Sequence, residues 1–238
     1  MLTFCLHLQE LACISKNSVN MKHYLLLVFC TLAISNISGQ SDRHKYIGIN
    51  ALGLTTTTLN TNYCFDIKPF FSPLIDIGYT FNYEKSFDFI GTILTPHCKC
   101  GNNGFDLNKQ SGTYLKLGSL LNLRKTFDKE NYFHLGLFFT NSLINQGCTY
   151  QTLDIIDPFF PLPTQLSHTK FIFGFNASIG YEFSIVKKLK SSFDFQVSFP
   201  NKNYKDLFGY RNYIPGIGFK DFEGYWFPML LWNLKYRL

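Results

Sequence analysis

Thr169-Lys-Phe-Ile-Phe-Gly-Phe-Asn-Ala-Ser-Ile-Gly-Tyr-Glu-Phe183 is the stretch on which the fold turns. Phe171, Phe173, Phe175, Ala177, Ile179, Tyr181 and Phe183 alternate with Gly174, Asn176, Ser178, Gly180 and Glu182. Successive side chains of a strand point to opposite faces, so period two gives one apolar wall and one small, polar wall. At helical spacing the same residues would scatter around a cylinder. The stretch reads as a strand.

The same alternation recurs on both sides of it. Ile75, Ile77, Tyr79, Phe81 and Tyr83 share a face, as do Phe87, Phe89 and Ile93. Further along come Leu115, Leu117, Leu121 and Leu123, then Phe133, Leu135, Leu137 and Phe139. Phe193, Phe195, Val197 and Phe199 follow, and the chain closes on Leu230, Trp232, Leu234, Tyr236 and Leu238. A weaker first strand runs from about Lys45 to Leu54. These are roughly eight segments of about ten residues, the length a tilted strand needs to cross a bilayer. Their connections alternate. Glu84-Lys85, Asp128-Lys129-Glu130 and Val186-Lys187-Lys188 are short and charged, whereas Thr55–Phe71, Pro96–Gly112, Leu143–His168 and Pro200–Gly224 are long and rich in Gly, Pro, Asn and Ser. Short turns at one end and long loops at the other characterise outer-membrane barrels.

Composition agrees. The 238 residues include 26 Phe and 14 Tyr, and aromatic side chains favour a pleated sheet. A net charge of +6 without an extended basic run gives no nucleic-acid footprint. Met21-Lys22-His23, the apolar run Tyr24–Ile34 and the small-residue exit Ser35–Gln40 have the three parts of a secretory signal peptide. Residues 1–20 are therefore read as lying upstream of the true start, 21–39 as the signal peptide and 40–238 as the barrel. After that segment no apolar run is long enough for a membrane helix. Only a closed barrel could then satisfy the backbone in lipid.

In this pattern, and in the terminal segment Trp232-Asn-Leu-Lys-Tyr-Arg-Leu238, residues 41–238 resemble the small outer-membrane β-barrels. These are the OmpA/OmpX-type barrels and the porin-like barrel proteins of Bacteroidota. The resemblance implies an all-β, antiparallel up-and-down transmembrane barrel in a Gram-negative outer membrane, with lipids around it. It also implies insertion machinery that reads the C-terminal strand. Leu238 replaces the commoner terminal Phe. Pro228 lacks an amide hydrogen, so ladder bonding is expected to start after it, or a bulge to form there.

Cys64, Cys98, Cys100 and Cys148 remain in the exported chain, all in expected long loops. An even count in an exported protein favours disulfides. Cys98 and Cys100 are read as each reaching another loop, with three connectivities open. His97 beside Cys98-Lys99-Cys100 departs from zinc spacing, so neither a metal nor a cofactor is expected. The polar wall carries Asp76, Asp88, Lys116, Arg124, His134, Glu182, Asp194, Lys235 and Arg237. No nucleophile motif singles out a catalytic site among them, and opposite charges pairing within a narrow barrel is the plainer expectation.

Two loop stretches are candidates for binding a surface glycan or protein. One is Phe159 and Phe160 between prolines. The other is Tyr210 and Arg211 within a run of aromatic and basic residues that would otherwise pack together over the outer mouth. The leading expectation is a non-enzymatic barrel with an envelope-structural or surface-binding role. The alternatives are a barrel transporting a small or hydrophobic ligand, a lipid-modifying barrel enzyme, and a secreted lipocalin-like ligand-binding barrel. Periodicity alone does not say which wall faces inward.

Overall fold

In the computed structural model, the described residues are 44–83, 88–95, 105–124, 126–127, 130–150, 164–208, 212–220 and 226–238. The strands are β1 (Lys45–Asn50), β2 (Thr58–Phe65), β3 (Phe71–Thr80), β4 (Phe105–Asn122) and β5 (Tyr132–Tyr150). They continue as β6 (Thr164–Val186), β7 (Leu189–Pro200), β8 (Asn212–Ile214), β9 (Gly218–Lys220) and β10 (Phe227–Arg237). Eight of them close an antiparallel barrel in the order β1-β10-β7-β6-β5-β4-β3-β2, and β8-β9 is a separate hairpin. Every wall strand pairs with its chain neighbours in the wall. The seam is β1 on β10, from Tyr46↔Arg237 to Asn50↔Asn233. Among the described residues no helix is long and apolar enough to cross a membrane.

Burial decides the orientation that periodicity left open. Leu137 (60% exposed), Phe175 (67%) and Ile179 (54%) point outward, while His134, Asn176 and Glu182 on the same strands are buried. With a rise of about 3.3 Å per residue and a tilt of about 40°, the outward run from Phe133 to Leu143 covers roughly 25 Å, the height of a lipid-facing band. Near the lower edge, Phe133, Tyr181, Phe183, Phe193 and Trp232 form a continuous ring-to-ring chain, with centroids 4.8–6.3 Å apart. Trp232 Nε1 donates to Ser191 Oγ (2.9 Å), leaving its ring to the apolar surface. An inward apolar wall, as in a lipocalin-like barrel, is ruled out by this arrangement.

Four local expectations are corrected. Of the expected strand Phe87–Ile93, the described residues are not extended: Phe89–Leu94 forms a short helix, α1, whose N-cap Asp88 accepts from Gly91 N (2.8 Å). The eighth strand is instead β2, within the stretch read as the Thr55–Phe71 loop. Its inward residues are Thr58, Asn60, Asn62 and Cys64, and the other wall, Leu59, Thr61, Tyr63 and Phe65, is interrupted by a threonine, so the alternation is faint. The first strand stops at Asn50, whose side chain caps a 3-10 turn over Ala51–Thr56. Pro228 sits in register opposite Val197, and no bulge marks it. The β1 seam reaches only Asn233, so Pro228 has no strand on that side to receive an amide hydrogen bond.

The wall is uneven. β6 spans 23 residues and β1 six. β4, β5 and β6 therefore continue past the tops of β3 (Thr80↔Gly112) and β7 (Gly174↔Pro200) as a three-stranded extension. Much of the expected Pro96–Gly112 and Leu143–His168 loops is thus ladder. Of the connections at this end, 81–104, 151–163 and 201–226 are long and 51–57 is a short 3-10 turn, and those at the other, 66–70, 123–131 and 187–188, are short.

Candidate functional site

Eight strands enclose a space that side chains can fill, and here polar ones do so in layers. At the short-turn end, Arg124 Nη2 donates to Asp66 Oδ2 (2.5 Å) and Nε to the Pro69 carbonyl (2.8 Å). The Arg124 guanidinium lies over the Tyr132 ring at 4.4 Å. Ser72 Oγ donates to the other Asp66 oxygen (2.5 Å). One layer up, Glu182 accepts from Lys235 Nζ (2.7 Å), Lys190 Nζ (3.1 Å) and the Tyr132 hydroxyl. Asp194 accepts from His134 Nε2 (2.5 Å), Ser192 Oγ (2.8 Å) and Asn233 Nδ2 (2.8 Å). Asp76 takes Asn60 Nδ2 (2.8 Å) and the Tyr114 hydroxyl (3.0 Å), with Lys116 Nζ at 3.8 Å. Lys116 itself donates to Gln196 Oε1 (2.8 Å). Beside these groups Tyr46, Cys64, Leu74, Leu120 and Phe138 form an inward apolar cluster. A cavity of about 30 Å³, room for a water or two, lies among Lys116, His134, Asp194 and Lys235.

The wall charges therefore come together as complementary sets. Arg124 meets Asp66, Lys116 meets Asp76, Lys190 and Lys235 share Glu182, and Asp194 takes His134, all of them buried. Lys220 is also buried, at the long-loop end. Such burial is tolerable because the ions have charged or polar partners and further hydrogen bonds. Two expected members stand apart. Asp88 caps α1 and accepts from the Tyr83 hydroxyl (2.6 Å), outside the lumen. Arg237 lies half-buried at the short-turn rim. Lys190 was legible, since it shares parity with Ser192 and Asp194. Asp66 was not, because it belongs to a turn with no period.

Small residues on the polar wall make room for large ones opposite. A Cβ on Gly180 would collide with the Asp194 carboxylate and the His134 ring, whereas at Gly147 the nearest atom would be 4.0 Å away. Gly180→Ala should therefore cost about 1–3 kcal/mol through overpacking, with Gly147→Ala close to neutral. Urea denaturation of the refolded barrel measures both, and equal effects would contradict the packing account.

The long-loop end is closed by an inserted hairpin. Asn212–Lys220 folds as β8-β9 around Ile214-Pro215-Gly216-Ile217, where Ile217 N donates to Ile214 O (3.0 Å) and Gly216 has φ +72°. Proline followed by a positive-φ glycine is the signature of a type II turn. The turn points down into the lumen. Gln196 Nε2 donates to the Gly216 and Ile217 carbonyls (3.2 and 3.1 Å), Asn176 Nδ2 to Gly216 O (3.2 Å) and Ser198 Oγ to Ile217 O (2.6 Å). Gln110 Nε2 donates to the Tyr213 carbonyl. Ile214 and Ile217 pack on Ile144, Ile172 and Phe227, while Tyr213 and Phe219 pack with Tyr83, Ile90 and Met229. A loop carrying four large hydrophobes around Pro-Gly was the available signal for this plug.

The cysteine expectation is corrected at both described positions, which lie in strands and not in loops. Cys64 belongs to β2, in register with Tyr46 and Leu74, in the lower lumen. Cys148 is buried in the upper extension. Register places Cys64 level with Gly118 and Phe138, ten residues below Cys148 on β5, or roughly 30 Å at about 3.3 Å per residue. No disulfide spans that distance. Cys98, Cys100, Phe159, Phe160, Tyr210 and Arg211 lie outside the described residues.

Solved structures similar to this chain include Neisserial surface protein A, with a TM-score of 0.41 and 6% identity over 82% of this chain and 94% of that one. The N-terminal β-barrel domain of Pseudomonas aeruginosa OprF gives 0.39 and 7%, over 82% and 96%. A major outer membrane protein from Thermus thermophilus gives 0.46 and 12%, over 83% and 100%. No family model and no curated protein matches the chain.

Proposed function

We propose that this chain is an exported barrel of a Gram-negative outer membrane, with a non-enzymatic role as an envelope-structural or surface-binding element. The observation that carries the reading is the division of its surfaces, lipid-suited outside and ion-paired inside. A continuous band of Leu, Ile and Phe on a folded exterior is too large to leave in water. Residues 21–39 would direct export, outer-membrane lipids would surround the band, and insertion machinery would read β10. His134 is 1% exposed and hydrogen-bonded to a buried carboxylate, on the wall away from lipid. That placement favours a packing role over acyl-chain chemistry. The loop end, free of the band, is where a surface glycan or protein would be met.

Fractionation of the untagged chain in a Gram-negative host tests the location. It should sediment with outer membranes and require detergent for release, and recovery as a soluble periplasmic protein would sink the reading. Unchanged acyl-chain profiles of envelope lipids on expression are expected, and a new lipid species would transfer the chain to the enzymes. Planar bilayers test closure. Neither the intact barrel nor one with Asn212–Lys220 replaced by a Gly-Ser linker should give large, stable conductance steps. The Arg124–Asp66 and Glu182–Lys190–Lys235 layers still fill the lumen below the hairpin. Such steps from either form would favour transport.

A further inference from the structure

The short-turn end, where Leu238 N donates to Lys45 O (2.9 Å), holds a concave vestibule of about 370 Å³. Its polar lining among the described residues includes His44, Glu130, Lys187, Lys188, Lys190 and Arg237. Lys190 forms the floor and is paired with Glu182 of the lumen. The other cations of the vestibule lie on its outer side. Among the described residues that line it, Lys187, Lys188 and Arg237 face one carboxylate, Glu130, across a hollow the size of a small ligand. Of the three, Lys188 Nζ rests over the Tyr236 ring at 5.9 Å. Concave walls of one sign focus potential and concentrate a counter-ion.

We propose that this vestibule binds a phosphate-bearing anion. A phosphate monoester carries close to two negative charges at neutral pH, matching the excess of two, and offers several acceptor oxygens. Arg237 supplies a planar fork for two of them, and the lysines supply mobile point charges. A monocarboxylate would leave one cation unanswered. The state of His44 is in keeping with a positive hollow: burial first, then Arg237, hold its imidazole below the usual range. The groups around it are Arg237, Lys190 and Arg124 on the positive side and Asp66 at 4.0 Å on the negative, with the Tyr46 and Phe127 rings packed edge-on. An anion seated beside Arg237 would offset that repulsion and raise the His44 pKa.

The test uses the mature chain in phosphatidylcholine nanodiscs, with the His44 imidazole followed by NMR. Inorganic phosphate is titrated in one arm, and phosphatidic acid, a phosphate monoester lipid, is doped into the disc in the other. A saturable shift and a raised His44 pKa with inorganic phosphate would assign a soluble phosphate as ligand. The same response only to phosphatidic acid would assign a lipid headgroup. No response in either arm overturns the proposal. Arg237→Gln and, in the turn, Lys188→Gln should each weaken binding about tenfold, the loss expected for one charge-assisted hydrogen bond. Glu130→Gln should tighten it. Lys68→Gln removes the same charge at the same end but outside the vestibule, and should leave binding unchanged. If Lys68→Gln weakens binding as much as Arg237→Gln, the effect is bulk charge and the site does not exist. An unchanged Trp232 indole resonance verifies that each variant is folded.

Discussion

Replacing Glu182 with alanine is expected to destabilise the barrel by about 3–5 kcal/mol, the largest effect of any single lumen substitution. The reason is arithmetic within one layer. Glu182 alone receives Lys190, Lys235 and the Tyr132 hydroxyl, so its loss leaves two ammonium groups and one hydroxyl facing each other without an acceptor. Lys190 is also held over the Tyr46 and Tyr132 rings, at 4.9 and 5.3 Å, which confines it to the layer. Removing one partner of a buried set is costly where replacing the whole set is not. The triple variant Glu182→Leu, Lys190→Met, Lys235→Met should therefore recover much of the loss. Urea unfolding of the barrel refolded in phosphatidylcholine vesicles measures both. A loss below about 1 kcal/mol for Glu182→Ala would mean that water reaches the layer and screens it as at a surface.

The second large effect lies on the outer wall. Leu137→Arg places a guanidinium midway along the apolar band, and in lipid that costs about 2–4 kcal/mol. Leu123→Arg, equally exposed at 60% but just beyond the lower end of β4, should cost no more than about 1 kcal/mol, because near the interface the side chain reaches water. The contrast matters more than either value. Around a barrel in water both substitutions would be near neutral, since neither side chain is buried by protein. Equal small effects at the two positions, measured in vesicles, would remove the bilayer from the account of this surface.

The two experiments probe opposite faces of the same alternation, and the faces differ in how far the sequence reveals them. Along Thr169–Phe183 the outward residues are nearly all aromatic or aliphatic and the inward ones small or polar, so strand, face and extent can be read directly. Over Thr58–Phe65 the outward residues include Thr61, and the inward ones include Cys64 and the β-branched Thr58. The contrast falls away and a wall strand looks like a loop. The error at Phe87–Ile93 has the opposite origin. Three apolar residues at even spacing imitate a strand, while the Asp88 cap three residues before the Gly91 amide favours a helical turn.

What the amino-acid order determined by itself is the class of architecture: about eight amphipathic strands, long connections at one end, and a polar wall with both signs of charge. These are local properties, since period two and turn composition need only neighbouring residues to be expressed. Tertiary structure alone decided which wall faces in. It also paired Glu182 with lysines 8 and 53 residues away, moved Cys64 to the far end from Cys148, and turned a loop into the hairpin that closes the mouth. The reason is physical. Inside and outside, and the partner of each buried charge, exist only once the first strand meets the last, and that closure joins residues nearly two hundred positions apart in the chain.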